Sequence, residues 1–400
     1  MKKFFEILKK IIRIAAVFIL SVIVIIVIVC SIKSEIYRAE GFKFSSELKQ
    51  YDNFADNAFL LNDDIIVANL QNFIRFYDTK TLDLKPAKNI LKINGDINRK
   101  IEKYDDNKIA VYEQIPKKNP KHKEREYNNI IKIIDVPTGK ECFQSPLIDA
   151  EFIKYIGNDK FVIVHKIYGT SNYYFEIYDL RTNKFVKDKI LTLDKRIDIS
   201  DIEKINDDKI FILGRYSNRY LFAKVYDLKE KKLSDVKVPK EKVGFENSPI
   251  RRIAEDKFLI SYHVGNTISK TSFLIVNTKD LTSQKLEIFK DNKSRLMNCQ
   301  QLKDGRLLFY GLEANSKIEI IMSFKNIYLY DIKTGTLKHG NKKLQKGRFA
   351  THTFFAPPSV LLPDGRVAIF GGDINLWDLF FSSNSNGLSN PTIEIIKIEE

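Results

Sequence analysis

Polar side chains that could act on a ligand follow several short apolar runs along the chain. Glu113, His165 and Tyr262 come directly after such runs, and Arg215 and His263 take the next position in two of them. A carboxylate, two imidazoles, a guanidinium and a phenol can bind a polar ligand or move protons. However, no pair of carboxylates recurs at one spacing, and no histidines cluster as metal ligands do. The sequence therefore names these five residues as candidate binding residues, and it predicts no metal, no cofactor and no readable catalytic set.

A second candidate site is the aromatic segment "DINLWDLFFSSNSNGLSNP", Asp373 to Pro391. It carries Trp377, Phe380 and Phe381 and is too long and too apolar for a plain turn. Something must cover such a segment. Either it folds back over a sheet edge or channel, or it binds a partner, and the sequence leaves both open.

The elements that position these residues recur along the chain. A turn of Asp, Asn or Gly followed by four to six apolar residues occurs seven times, about 43 to 60 residues apart, which is the spacing of propeller blades. The copies begin at Leu61, Tyr104, Ile156, Ile205, Ile253, Leu302 and Leu362. A second run ends in an Asp or Asn that can start a turn by bonding its own backbone. These residues are Asp78, Asp135, Asp179, Asp227, Asn277 and Asp331.

Each unit thus reads as four strands, and the last unit lacks one. The strand-like stretch 42–49 precedes the first unit and has no partner there, so we expect it to supply the missing outer strand of the seventh unit. No amphipathic helix separates the strands, which excludes a parallel α/β fold in practice. The sequence predicts an all-β, seven-bladed β-propeller over residues 42–400.

The seventh unit carries a family resemblance. "GRFATHTFFAPPSVLLPDGRVAIFGGD", with Arg348, His352, Gly365 and the pair Gly371 and Gly372, resembles a kelch or galactose-oxidase-type blade. The resemblance implies kelch-like geometry and gives Arg348 and His352 an inter-blade structural role. Oxidases and sugar isomerases occur among such propellers. Copper ligation of the galactose-oxidase type needs two Tyr and two His in defined places, and the sequence does not show them.

The N-terminus predicts a membrane anchor. Five cationic residues precede an apolar run from Ile14 to Cys30, which with its flanks approaches the ~20 residues needed to cross a bilayer. The positive-inside rule leaves 1–10 as a cytoplasmic tail, 11–31 as a transmembrane signal anchor and 32–41 as a linker, with the propeller outside the cytoplasm. That side is the periplasm or the cell surface. A cleaved signal peptide, or a lipoprotein acylated at Cys30, remains an alternative.

The absence of a readable acid/base constellation favours a binding module over an enzyme. The net charge is +15, but Lys is spread through nearly every turn, so we expect a solvated surface and no nucleic-acid partner. Cys142 and Cys299 are expected to be two isolated buried thiols, with a disulfide between them as the alternative. The sequence therefore favours a non-enzymatic, membrane-anchored propeller that binds a protein or glycan. The alternative is a carbohydrate-active enzyme, which two or more buried ionisable groups in contact at the central channel would support.

Overall fold

The fold is seen in a computed structural model of the chain. It describes Ser21 and residues 41–50, 55–70, 73–83, 91–92, 99–117, 127–167, 172–186, 191–193, 197–245, 250–264, 271–289, 294–314, 324–342, 358–374 and 388–399. Trp377, Phe380, Phe381, Arg348 and His352 lie outside these ranges, as does Cys30.

Thirty strands occur in the described ranges. The first nine are β1 (Phe44–Gln50), β2 (Ala55–Asn62), β3 (Ile65–Leu70), β4 (Phe73–Asp78), β5 (Leu91–Lys92), β6 (Arg99–Lys103), β7 (Lys108–Pro116), β8 (Tyr127–Asp135) and β9 (Lys140–Gln144). The next nine are β10 (Phe152–Gly157), β11 (Lys160–Lys166), β12 (Tyr173–Asp179), β13 (Lys184–Phe185), β14 (Leu191–Leu193), β15 (Ile197–Asn206), β16 (Lys209–Tyr216), β17 (Leu221–Asp227) and β18 (Lys232–Asp235). The last twelve are β19 (Val243–Gly244), β20 (Ile250–Ala254), β21 (Lys257–Val264), β22 (Thr271–Asn277), β23 (Thr282–Leu286), β24 (Ser294–Gln301), β25 (Leu307–Ala314), β26 (Phe324–Asp331), β27 (Thr336–His339), β28 (Ser359–Leu361), β29 (Val367–Ile374) and β30 (Leu388–Ile398).

These strands form seven antiparallel sheets, the blades of a β-propeller. Blades one to six are β2–β5, β6–β9, β10–β14, β15–β18, β19–β23 and β24–β27, and blade seven combines β28, β29 and β30 with β1. The seven-bladed, all-β prediction is confirmed. Two blades depart from four strands, because β13 and β14 both pair with β12, and β19 and β20 both pair with β21.

The core is divided into seven hydrophobic clusters, one in each space between neighbouring blades. Among the described residues, aromatic pairs cross four of these spaces. Phe211 and Phe258 have ring centroids 5.4 Å apart between blades four and five, and Tyr77 and Phe370 have centroids 5.9 Å apart between blades one and seven. Burying both faces of every sheet in this way gives each blade two apolar neighbours.

Blade seven joins the two ends of the propeller. β1 pairs with β30 over seven residues, from Phe44 opposite Ile398 to Gln50 opposite Thr392. Phe44 is buried in the cluster between blades six and seven. The backbone of Phe42 also bonds to His339 and Asn341 at the end of blade six. β1 therefore occupies the outer position that blade seven otherwise lacks.

Tight turns occupy one face of the disc. In blades one, three, four, five and six, the Asp or Asn that ends the third strand accepts N–H bonds from the residues two and three positions later, as Asp179 does from Arg181 and Thr182. The Asp-Gly turns of blades six and seven place Gly305 and Gly365 at φ +87° and +88°, a region that favours glycine. We call this side the turn face. The opposite side carries the connections between second and third strands, and we call it the loop face.

No helix long and apolar enough to span a bilayer occurs in the ranges that the structure describes, which include only Ser21 of the predicted anchor. The transmembrane prediction thus falls outside those ranges. Cys142 and Cys299 are both free thiols. Cys299 is buried, and burial raises its pKa to about 12. The expectation of a buried Cys142 is wrong, because that residue lies on the exposed outer strand β9.

Candidate functional site: the loop face and the innermost strands

The five candidate binding residues that the structure describes lie on second strands, close to the loop face. Each second strand runs one to three residues further than its apolar core, so these side chains sit inside a ladder. A residue inside a ladder is held between its strand neighbours, and its rotamer is more restricted than in a loop. Four of the five candidates, Glu113, His165, Arg215 and Tyr262, have a polar partner within 3.0 Å.

Glu113 on β7 is buried and pairs with Lys132 on the adjacent strand β8. The Lys132 Nζ to Glu113 Oε2 distance is 2.9 Å. Lys132 also lies 3.5 Å from Glu141 on β9. The carboxylate is therefore compensated within blade two.

His165 on β11 is clamped between two acceptors. Its Nδ1 donates to the carbonyl oxygen of Asp149 at 2.5 Å, and its Nε2 lies 3.0 Å from Oε2 of Glu176. The imidazole stacks on Tyr174 with centroids 4.4 Å apart and an interplanar angle of 7°. Burial lowers the pKa of His165, and the Glu176 carboxylate opposes that shift. Because the carbonyl oxygen can only accept, Nδ1 carries a proton.

Arg215 on β16 binds one carboxylate oxygen of Asp198 on β15. Its Nε and Nη2 lie 3.0 and 2.7 Å from Oδ2 of Asp198. Gly214 allows this close approach, because a Cβ there would lie 2.3 Å from the Asp198 carbonyl oxygen. The pair is half-exposed and stays within blade four.

Tyr262 and His263 on β21 are both buried. The Tyr262 hydroxyl donates to Oε2 of Glu241 at 2.9 Å, and Lys285 binds the other oxygen of the same carboxylate. Burial, assisted by Glu241, raises the pKa of Tyr262 well above its usual range. The hydroxyl is therefore a fixed donor rather than a proton acceptor.

Glu113, His165, Arg215 and Tyr262 thus belong to four separate clusters, each closed by partners from its own blade or from the connection before it. His263 is buried on β21, whereas His165 is only partly buried between its two acceptors. These paired polar and charged side chains lie at the ends of the second strands, beneath the loop face.

Exposed apolar side chains lie on the loop face, next to these paired side chains. Tyr127, Leu147, Ile167, Tyr216 and Val264 are each between 38% and 57% exposed, and all lie at loop-face ends of strands or connections in blades two to five. Single exposed apolar residues are ordinary on any protein. Their concentration on one face is unusual. In the described ranges, the other large apolar side chains that are exposed are Phe185 and Val186.

A second cluster, which the sequence interpretation missed, joins the innermost strands of blades two, three and four. Lys154 on β10 lies 2.9 Å from Glu102 on β6 and 2.9 Å from Glu203 on β15. Lys100 on β6 lies 3.6 Å from Asp201 on β15. We call these five residues the inner charge cluster. The signal in the sequence is spacing, because Lys154 and Glu203 are 49 residues apart, about one blade.

The inner charge cluster has a defined protonation pattern. Burial would lower the pKa of Lys154, but Glu102 and Glu203 outweigh it and raise that pKa, so the ammonium persists. Glu102 also accepts bonds from the Tyr155 N–H at 2.7 Å and from the Tyr112 hydroxyl. Burial raises the pKa of Asp201, against the opposing pull of Lys100. Asp201 is the member best suited to hold a proton and donate it.

The described residues offer no set of side chains that could bind a metal ion. Across the ranges that the structure describes, no three His, Cys, Asp or Glu side chains are arranged to hold an ion.

Comparisons with known proteins reach the fold only. No known family model matches the sequence, and no curated protein matches it. A fungal alcohol oxidase of the AA5 family, solved in complex with copper, superposes with a TM-score of 0.55 at 11% identity, over 90% of this chain and 77% of the oxidase. An oligogalacturonate lyase from Vibrio parahaemolyticus superposes with a TM-score of 0.52 at 10% identity, over 90% of this chain and 99% of the lyase. The shared feature is the β-propeller, and the kelch-like character of the repeats stays a prediction.

Proposed function

We propose that the protein is a membrane-anchored β-propeller that binds a protein or glycan partner on its loop face, outside the cytoplasm. The observation that supports binding is the set of exposed apolar side chains at Tyr127, Leu147, Ile167, Tyr216 and Val264 above paired charges. Apolar anchors with polar neighbours on a rigid scaffold are typical of interaction surfaces. The anchor and the side of the membrane rest on the basic and apolar N-terminal sequence.

The paired charges also argue against a rigid catalytic set on this face. A catalytic acid or base must reach the substrate, yet Glu113, His165 and Tyr262 are already bonded to protein groups. Their role in the proposal is to hold the strand ends in place. In this proposal, the exposed apolar residues and the loops contact the partner.

A photo-cross-linking experiment tests this proposal. Tyr216→benzoylphenylalanine places a photoreactive group on the loop face of blade four in the intact cell. Lys229→benzoylphenylalanine places it on the turn face of the same blade, where Lys229 is exposed. We expect a discrete adduct from position 216 alone. Adducts of equal yield from both positions, or from neither, would contradict loop-face binding.

A second function, a carbohydrate-active enzyme, is favoured by one observation, the inner charge cluster. Buried ionisable groups in contact between three blades are what an acid or base in a channel needs, and burial favours the protonated form of Asp201, which can donate a proton. Asp201→Asn should then abolish turnover of an acidic oligosaccharide while leaving its binding measurable. The binding proposal ranks first, because Lys154, Glu102 and Glu203 satisfy one another.

A further inference from the structure

An aromatic ring with two lysines beside it lies on the loop face of blade four. The ring is that of Tyr220, in the hairpin that joins β16 to β17. The Tyr216 N–H donates to the Tyr220 carbonyl oxygen at 2.9 Å, and the Arg219 N–H donates to the Tyr216 carbonyl oxygen at 2.7 Å. The two lysines, Lys240 and Lys242, belong to the connection from β18 to β19. We call Tyr220, Lys240 and Lys242 the Tyr220 platform.

Backbone bonds hold the segment that carries the lysines. The Leu221 N–H donates to the carbonyl oxygen of Glu241 at 3.0 Å, and the Val243 N–H donates to the carbonyl oxygen of Arg219 at 2.8 Å. Val243 is buried in the cluster between blades four and five, and it pairs with Val264 of β21. The segment is therefore fixed to blade four at one end and to blade five at the other.

The backbone register places both ammonium groups beside one ring. Tyr220 lies opposite Lys242 in an antiparallel bridge. The two bonds on either side of this bridge make it a non-hydrogen-bonded pair, in which the side chains lie close together on one face. The Nζ atoms of Lys240 and Lys242 each lie 5.9 Å from the centroid of the Tyr220 ring, within the range of a cation–π contact.

The acid nearest in sequence does not neutralise these lysines. Glu241 stands between them, but its side chain is directed to blade five, where Tyr262 and Lys285 bind its two oxygens. Residues 216–222 and 236–243 contain no other Asp or Glu. The two lysines of the platform are both exposed. A second ammonium beside one ring adds repulsion between cations, so an anion bound next to them would stabilise the arrangement.

The chemistry of the platform matches an acidic glycan. Each unit of a uronic acid chain carries a carboxylate on a ring with apolar C–H groups. The lysine ammonium groups supply compact positive charges for the carboxylates, and the Tyr220 ring supplies a flat surface for the sugar. Tyr216, which is 38% exposed on the same hairpin, adds a second aromatic surface. An acidic peptide would match the charges but would offer no ring for Tyr220.

We infer that the Tyr220 platform binds an acidic glycan, a chain of uronic acid units, on the loop face between blades four and five. One sugar ring packs against Tyr220, and the carboxylates of this unit and its neighbour lie beside Lys240 and Lys242. Exposed ionic contacts with an aromatic surface give selectivity for charged sugars over neutral ones. This inference rests on the proposed function, since it names the class of partner that the loop face binds.

The test measures binding of a dye-labelled hexamer of galacturonic acid to the full chain in detergent, by fluorescence anisotropy. We expect saturable binding that weakens as salt is added, because the ionic contacts are exposed. The fully methyl-esterified hexamer keeps the sugar rings but loses the charges, and should bind about tenfold more weakly. A hexamer of glutamic acid keeps the charges but loses the rings, and should also bind about tenfold more weakly.

Protein variants locate the binding. Lys240→Gln combined with Lys242→Gln should weaken binding of the galacturonic acid hexamer about tenfold, because the site loses both of its charges. Lys229→Gln combined with Lys231→Gln is the matched control and should leave the affinity unchanged. These two exposed lysines have the same spacing and lie on the turn face of the same blade. Tyr220→Leu should weaken binding about fivefold while both charges remain.

Three outcomes would overturn the inference. Equal weakening by the two lysine pairs would mean that the hexamer is attracted only by the net charge of the chain. Equal affinity for the methyl-esterified hexamer would mean that the site does not recognise carboxylates. Equal affinity for the glutamic acid hexamer, lost with Lys240 and Lys242, would replace the glycan with an acidic peptide. The lysine variants decide the test even where Tyr220→Leu fails to fold, since both lysines are exposed.

The two proposals fail separately. A chain that gives the Tyr216 adduct in the cell but does not bind the galacturonic acid hexamer refutes the glycan site alone. A chain that binds the hexamer through Lys240 and Lys242 but gives no adduct refutes the loop-face proposal as stated, and leaves the Tyr220 platform as an isolated site.

Discussion

Asp227 shows how single side chains set the turns of this fold. Its Oδ1 accepts the N–H groups of Lys229 and Glu230 at 3.0 and 2.8 Å, which holds the turn between β17 and β18. Asn277 does the same in blade five with the N–H of Lys279. A carboxylate and an amide oxygen are thus interchangeable here.

Asp227→Ala should lower the free energy of unfolding by about 1 kcal/mol, because two backbone donors lose their acceptor. Asp227→Asn should retain most of the stability. The Glu230 N–H, with smaller contributions from Lys229 and Lys209, lowers the pKa of Asp227. Its stabilisation is therefore present above the ordinary Asp pKa and is lost as pH falls through the lower folded pKa. Urea denaturation measures both variants, and equal losses for Ala and Asn would show that the acceptor does not matter.

Asp201 titrates in the opposite direction. Burial raises its pKa, so the protonated form favours folding below the ordinary Asp pKa, and that advantage is lost as pH rises through the folded pKa. Asp201→Asn should therefore match or exceed the wild-type melting temperature at pH 7, and the difference should shrink toward pH 4. A large loss at pH 7 would instead mean that the Lys100 pair stabilises the fold.

The residue scale is also where the sequence was least informative. The turn Asp residues were predictable, because a local bond to the backbone leaves a local signal. Lys154 was not, because its partners Glu102 and Glu203 lie on other blades and each looks like a solvated charge in its own strand. The partial burial of His165 depends in the same way on the strands beside it.

At the scale of elements, β1 decides whether the disc closes. It pairs with β30 along its whole length, and Phe44 fills the space between blades six and seven. This was predictable because one unit lacked a strand and one strand lacked a unit. The sequence did not predict that two short strands, β13 and β14, share the outer position of blade three. Both pair with β12, and each is too short to leave a clear pattern in the sequence.

Phe44→Ala should lower the free energy of unfolding by about 3 kcal/mol or more, as expected for a large buried aromatic residue. Phe185→Ala, on an exposed outer strand, is the matched control and should cost far less.

A version of the chain that starts at Asp52 should melt below one that starts at Ser34, or aggregate, because an unpaired edge is left. Equal melting of the two versions would show that β1 contributes little.

At the scale of the whole molecule, we predict how the chain is oriented across the membrane. This prediction rests on the N-terminal sequence alone. Protease added to spheroplasts should digest the chain after Ser31 and spare the basic tail, because five cations before the apolar run hold the N-terminus in the cytoplasm. Complete protection would reverse the orientation. A mature N-terminus at lipid-bearing Cys30 would replace the anchor with a lipoprotein.

The pairing of β1 with β30 also governs the order of folding during synthesis. β1 leaves the ribosome before any blade is made, and its partner strand is among the last to follow. Contacts between residues so distant in sequence form late, since the intervening chain must first be brought together. β1 must therefore wait while six blades assemble, its hydrogen-bonding edge available to other nascent chains. A pull on the N-terminus of the finished disc would act first on the β1–β30 ladder, so the sheet that closes last is also the first to be loaded.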